Sequence, residues 1–202
     1  RRDVLETHPA GEERKLLLHE LAHRQICDSA LCSTKHIAKQ GREAGRAAAG
    51  HVYLTGAGPG DPNLLTVKAV RLIESAEVIL HDDLVSQAVL DLASSTAEIV
   101  NVGKRCGIKN ITQEEINALM IAHAKAGRSV VRRKSGDPLL FSRAAEEIGA
   151  LREAGVPFDI VPGVSAAFAA AAAPARALTD RASASNLIFS TGHHAQSHNY
   201  AT

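Results

Sequence analysis

Apolar positions follow two rhythms through the middle of the chain. Short runs of β-branched and aliphatic residues fall at Val52–Thr55, Val78–Leu80, Glu98–Val102, Ser129–Arg132 and Phe158–Val161, with the length and composition of strands. Between them the apolar residues move to helical spacing, which predicts helices at 63–75, 85–93, 112–126 and 142–154. Thr112 with Glu115 three residues on is a capping-box signature and fixes where the third of these helices starts. Parallel strands need a crossover between them, and a helix supplies it. Strict alternation of the two elements therefore predicts an α/β fold, a parallel-type sheet of about five strands flanked by helices.

The flanks read differently. Residues 1–49 are polar, with one short apolar face at Leu16-Leu17-Leu18 and Leu21-Ala22, before Gly41, Gly45 and Gly50 loosen the chain. They are expected to form a helical extension and linker. The α/β domain is expected over 50–182. From Ala169 an Ala-rich helix leads to Asn186–Ser190, which reads as one more strand, and 183–202 is set apart as a third segment. No internal repeat stands out.

Composition narrows the function classes. Hydrophobic residues make up 45% and charged residues 22% of 202, an ordinary soluble globular balance with room for one good-sized domain. Aromatics reach only 3%, without Trp, which disfavours a nucleic-acid binder that stacks bases on aromatic platforms. A net charge of +1 supplies no global field toward nucleic acid or an anionic membrane, so an acidic ligand must meet local clusters. No apolar run approaches the ~20 residues that span a bilayer. Arg1-Arg2-Asp3 has neither an initiator Met nor the apolar core of a signal peptide, and the chain is read as a trimmed fragment. Cys27, Cys32 and Cys106 are sparse and odd in number, which points to a reducing, cytoplasmic setting.

Chemistry concentrates where the predicted strands end. The first runs into Gly56-Ala57-Gly58-Pro59-Gly60-Asp61-Pro62, then Leu64-Leu65-Thr66. Glycines there let the backbone turn sharply and approach a ligand. The spacing differs from a dinucleotide-binding G-x-G-x-x-G, and two prolines stiffen the loop. Further blocks follow in order: Ala76-Glu77-Val78-Ile79-Leu80-His81-Asp82-Asp83-Leu84-Val85-Ser86, Val102-Gly103-Lys104-Arg105 and Gln113-Glu114-Glu115-Ile116-Asn117. After them come Val130-Val131-Arg132-Arg133-Lys134-Ser135-Gly136-Asp137-Pro138, Phe141-Ser142-Arg143-Ala144-Ala145-Glu146-Glu147, Val161-Pro162-Gly163-Val164-Ser165-Ala166-Ala167, Leu178-Thr179-Asp180-Arg181 and Thr191-Gly192-His193.

Taken together, these blocks resemble the front lobe of the tetrapyrrole (class III) methyltransferases, and within them the uroporphyrinogen-III C-methyltransferases. The resemblance implies transfer of two methyl groups from S-adenosylmethionine to uroporphyrinogen III, giving precorrin-2 on the route to sirohaem and cobalamin. It places Pro59, Ser135, Gly136, Asp137, Leu140, Ser165 and Ala166 on cofactor-contacting positions, Asp82 on the proton acceptor and Lys104 on the proton donor. A nearby carboxylate suits this chemistry, since methylating a pyrrole carbon leaves the ring cationic. Arg105, Arg132 and Arg143 are charge partners for the eight carboxylates of the substrate. A homodimer is implied as well, with no metal, nucleic acid or membrane partner. On this reading 183–202 opens a second, truncated lobe, and the alternative function is a ligand-binding fragment that does not turn over.

Plainer readings stand beside these. Asp82 after an apolar strand can simply cap a turn. Lys104-Arg105 can be a solvated pair. Strand alternation sends neighbours in Arg132-Arg133-Lys134 to opposite faces. The sequence also departs from the family pattern: Ser135, Ser142, Ala144 and Ala145 stand where glycines are usual, His81 where Tyr is usual, and Asp180 where His is usual. A competing motif, His19-Glu20-Leu21-Ala22-His23, fits H-E-x-x-H, which on a helix can bind zinc. It has no identifiable third ligand and no preceding strands to build a cleft, and a solvated helix is the expectation there.

Overall fold

A computed structural model describes residues 50–103 and 111–191. Five strands, β1 (His51–Gly56), β2 (Val78–His81), β3 (Glu98–Asn101), β4 (Ser129–Lys134) and β5 (Phe158–Val161), form one sheet in the order β3-β2-β4-β1-β5. Every pairing is parallel, with β4 matched residue for residue along β1 from His51↔Ser129 to Gly56↔Lys134. The helices are α1 (Val67–Ser75), α2 (Gln87–Leu90), α3 (Gln113–Lys125), α4 (Ala144–Glu153) and α5 (Ala166–Ala172). The α/β class and the five-stranded parallel sheet are those expected from the alternation of elements.

Side-chain alternation divides the core into two layers. Val52, Leu54, Val78, Leu80 and Val130 face Ile116, Met120 and Ala124 of α3 and Leu151 of α4. Ile79, Val131 and Val161 face Ala69, Leu72 and Ile73 of α1 and Val89 and Leu90 of α2. In α1 the buried residues fall at i, i+3 and i+4, a single stripe toward the sheet. Each fully buried Val or Leu contributes about 1.5–3 kcal/mol of transfer free energy. The two layers therefore hold the sheet from both faces.

Several boundaries differ from the sequence-based expectation. The first helix splits into a 3-10 turn over Pro62–Leu64 and then α1, because Leu65 is extended and Thr66 caps the next helix by accepting from the Ala69 amide. The helix expected over 85–93 closes as α2, a single turn. The capping box at Thr112 and Glu115 is present in both directions, with 2.7 and 3.2 Å bonds. The Ala-rich helix begins at Ala166 behind its Ser165 cap, earlier than Ala169. Asn186–Ser190 is not a strand. It has no ladder partner among the described residues, Ile188 is 87% exposed, and strand pairing is what would satisfy its backbone.

Because all five strands run the same way, the loops that follow them gather at one edge. In open parallel sheets ligands bind in the crevice beyond the carboxyl ends of the strands, where the strand order reverses. Here the reversal lies at β1 and β4: the chain leaves β1 for β2 and β3, then returns to place β4 between β1 and β2.

Candidate active site

Three loops meet over β1, β4 and β5. A Cβ added to Gly56 would lie 2.5 Å from the Gly163 Cα and 2.6 Å from the Gly136 carbonyl oxygen, so these backbones touch directly. Gly58 and Gly136 exchange amide and carbonyl bonds at 3.2 and 2.9 Å. Asp137 fastens the arrangement: its carboxylate accepts from the Leu139 amide at 2.9 Å and from the Gly163 amide at 3.0 Å. Of the pair Ser135-Gly136, only Gly136 has positive φ, at +66°. The conformational demand thus falls on the glycine that is kept, and Ser135 fits without backbone strain. Ser165 Cα and the Ala166 amide nitrogen approach the Gly136 Cβ direction within 3.7 Å. Gly136, Asp137, Ser165 and Ala166 therefore form one neighbourhood, with Pro59 next in sequence to Gly58.

A second neighbourhood lies over β2 and β4. A cavity of about 340 Å³ is lined by Asp82, Gln113, Arg132, Lys134, Ser135, Leu140 and Arg143 among others. Its floor is a buried charge cluster. The Arg132 Nε donates to Glu147 Oε1 at 3.0 Å and its Nη2 to Asp82 Oδ1 at 2.5 Å. Lys134 Nζ donates to Glu147 Oε2 at 2.9 Å, and Gln113 Nε2 to Glu147 Oε1 at 3.3 Å. Two cations and two carboxylates balance, which is what allows charges to sit in the core. Burial, and then the neighbouring Arg132, hold the Lys134 ammonium below its ordinary pKa, with Glu147 opposing. Asp82 is the member that reaches the opening, its side chain 31% exposed against 2% for Arg132 and 0% for Glu147.

Strand alternation resolves the Arg132-Arg133-Lys134 run. Arg132 and Lys134 turn toward α4 and share Glu147, while Arg133 turns to the opposite face and donates to Thr55 Oγ1 at 3.3 Å. Burial lowers the Arg133 pKa to about 10. Arg143 sits at the rim, half exposed, in a two-pronged pair with Glu146 at 2.7 and 2.5 Å. It and Phe141 have φ of +56° and +51°, uncommon for residues other than glycine and of a kind that gathers at ligand clamps. His81 is buried, with Nδ1 3.0 Å from the Asp82 carbonyl oxygen, and Asp180 caps an exposed turn through the Ala182 and Ser183 amides.

Lys104 and Arg105 lie outside the described residues, as does His19-Glu20-Leu21-Ala22-His23. No group of three or more metal-ligating side chains occurs among the described residues. A larger cavity of about 620 Å³, between β3 and the outer side of α3, holds the ionisable side chain of Glu115, which caps α3. Its walls offer no comparable set of charges. The sequence reading missed Glu147 and Gln113. Glu147 carries a legible signal: Ala144, Glu147 and Leu151 fall on one helical stripe and all are buried, so a carboxylate stands on the apolar face of α4.

Against known families, residues 51–201 match the tetrapyrrole (corrin/porphyrin) methylases. The chain belongs to this family. Within it, a siroheme synthase 2 of Aeromonas hydrophila is 51% identical over 144 residues, 71% of this chain and 31% of that protein. An S-adenosyl-L-methionine-dependent uroporphyrinogen III methyltransferase of Arabidopsis thaliana is 47% identical, over 76% of this chain and 42% of that one. The chain thus spans about a third of the length of the first of these relatives. Among solved structures, a uroporphyrin-III C-methyltransferase of Thermus thermophilus has a TM-score of 0.59 at 49% identity, covering 66% of this chain and 56% of that one. The enzyme from the same organism complexed with S-adenosylhomocysteine has a TM-score of 0.55 at 48% identity, covering 65% of this chain and 54% of that one. The fold and the family agree.

Proposed function

We propose that the protein carrying this chain is an S-adenosylmethionine-dependent methyltransferase that C-methylates uroporphyrinogen III to precorrin-2, on the way to sirohaem or cobalamin. The observation that carries the reading is the juxtaposition of Asp82, on a buried cationic support, with the glycine-built cradle at the same sheet edge. The absence of a Cβ at Gly56, Gly136 and Gly163 lets three loops meet backbone to backbone at the strand ends, which gathers their polar groups at the edge where the methyl donor is assigned. Pro59, Ser135, Gly136, Asp137, Leu140, Ser165 and Ala166 are assigned to hold it. The Asp137 carboxylate has lone pairs beyond the two it shares with backbone amides.

When bound, the donor supplies an electrophilic methyl group on a sulfonium. Attack by a pyrrole carbon on that methyl, with the S–C electrons leaving on sulfur, would make the ring cationic. Asp82 is assigned to stabilise that charge and then to take up the proton released as the ring regains neutrality. Lys104 is assigned as proton donor. Among the assigned substrate partners, Arg143 presents its guanidinium at the rim, whereas Arg132 commits its donors to Glu147 and Asp82. Arg132 therefore serves the substrate through Asp82, and Arg143 and Arg105 are the direct partners of substrate carboxylates. A cytoplasmic homodimer, and the division into an extension over 1–49, a lobe over 50–182 and the opening of a second lobe over 183–202, belong to the same proposal.

Methyl transfer to uroporphyrinogen III, followed as S-adenosylhomocysteine formation, tests it. Asp82→Ala is expected to lower turnover at least tenfold and donor affinity less than threefold, in the range of a single acid–base group. Unchanged turnover would remove Asp82 from its role. The chain spans only a third of the first relative's length, which favours a second reading, a unit that binds ligand without turning over. Donor binding without turnover, restored in a longer polypeptide, would support that one.

A further inference from the structure

Glu147 does not itself line the cavity, yet the wall residues Arg132, Lys134 and Gln113 are all tied to it. Its side chain is fully buried on the first turns of α4. One oxygen accepts from Arg132 Nε and Gln113 Nε2, the other from Lys134 Nζ. Arg132 is in turn fixed on its far side: Nη1 donates to the Arg133 carbonyl at 2.9 Å and Nη2 to Asp82. The guanidinium is planar and rigid, so anchoring its Nε end sets where its Nη2 points. We propose that Glu147 is a positioning residue for the reaction, holding Arg132 so that the Asp82 carboxylate is presented to the cavity in one orientation. The inference rests on the role given to Asp82 above.

The alternative is that Glu147 only neutralises buried cations. The two separate physically. A neutraliser contributes to stability whatever Asp82 does, whereas a positioning residue acts on turnover only while the Asp82 carboxylate is there to be positioned. Without the Glu147 charge, Arg132 and Lys134 have Asp82 as their remaining carboxylate in the cluster. The carboxylate is then drawn toward the floor of the cavity, away from the opening.

Glu147→Gln keeps the shape and removes the charge. It is expected to lower kcat about tenfold and to change the KM for the methyl donor less than threefold, as one misoriented acid–base group would. Combined with Asp82→Asn it is expected to add less than a twofold further loss, since groups acting as a unit do not multiply. Glu147→Asp should recover part of kcat. Multiplicative losses in the double variant, or parental kcat in Glu147→Gln, would overturn the proposal. So would failure of both Glu147 variants to fold, which would make the residue a structural anchor. Where the chain shows no turnover, the Asp82 carboxyl is followed by ¹³C NMR, assigned with Asp82→Asn. A resonance shifted and broadened by mobility in Glu147→Gln is expected, and an unchanged resonance refutes the inference. Failure of the functional reading looks different: Asp82→Asn then has parental turnover, or the folded parent chain and longer polypeptides containing it lack methyl transfer.

Discussion

Arg133 offers a stability test that is independent of catalysis. Its side chain is wholly buried, with one bond from Nη1 to Thr55 Oγ1 at 3.3 Å. Nε and Nη2 have no hydrogen-bond partner among the described residues. Burial alone lowers its pKa to about 10, and the sign follows directly. A base that binds its proton more weakly when folded disfavours folding at every pH below the folded value, and the penalty fades only as pH climbs from 10 toward the unfolded value. At about 1.4 kcal/mol per tenfold change in proton affinity, the lowering corresponds to roughly 3 kcal/mol. Replacing Arg133 by Met keeps most of the stem's volume and loses the Thr55 bond, worth about 1 kcal/mol. The net expectation is a gain of about 2 kcal/mol, constant between pH 6 and 8. With a urea slope of about 2 kcal/mol/M, the unfolding midpoint should rise by about 1 M. A midpoint that is unchanged or lower would refute the assignment of Arg133 as an uncompensated buried charge.

Two further substitutions probe the scaffold. Thr112→Ala removes one half of the capping box on α3 and is expected to cost about 1 kcal/mol, seen as a lower urea midpoint with an unchanged slope. Gly163→Ala would set a Cβ 2.3 Å from the Gly136 carbonyl oxygen, where backbone must move, and should cost about 1–3 kcal/mol or more and weaken S-adenosylhomocysteine binding in calorimetry. Parental stability and affinity in that variant would mean that the three loops do not need their close contact.

The path from residues to fold was short for the sheet. Short apolar strand runs alternating with helical stripes dictate parallel strands with helical crossovers, and Thr112 with Glu115 marks a helix start through bonds made within four residues. The loop blocks that carry the family resemblance are likewise contiguous, which is why Asp82 and the Ser135-Gly136-Asp137 turn were visible in one dimension. The end of the chain was misread at Asn186–Ser190 because a strand exists only by pairing, and composition does not supply the neighbour.

What the sequence determined by itself was the local and the periodic: the five strands of the sheet, the approximate places of the helices between them, and the capped start of α3. Only the tertiary structure decided how charges are shared. Arg132, Arg133 and Lys134 are adjacent in sequence, yet the pleat sends Arg133 to one layer and the other two to Glu147. Glu147 lies 15 residues from Arg132, and Asp82 lies 50. Their meeting depends on β4 returning between β1 and β2, an order fixed by packing of helices on both faces of the sheet. A carboxylate on the buried stripe of α4 announces that some cation must meet it in the core; which cation, and which carboxylate lies beyond, is settled by the order of the strands.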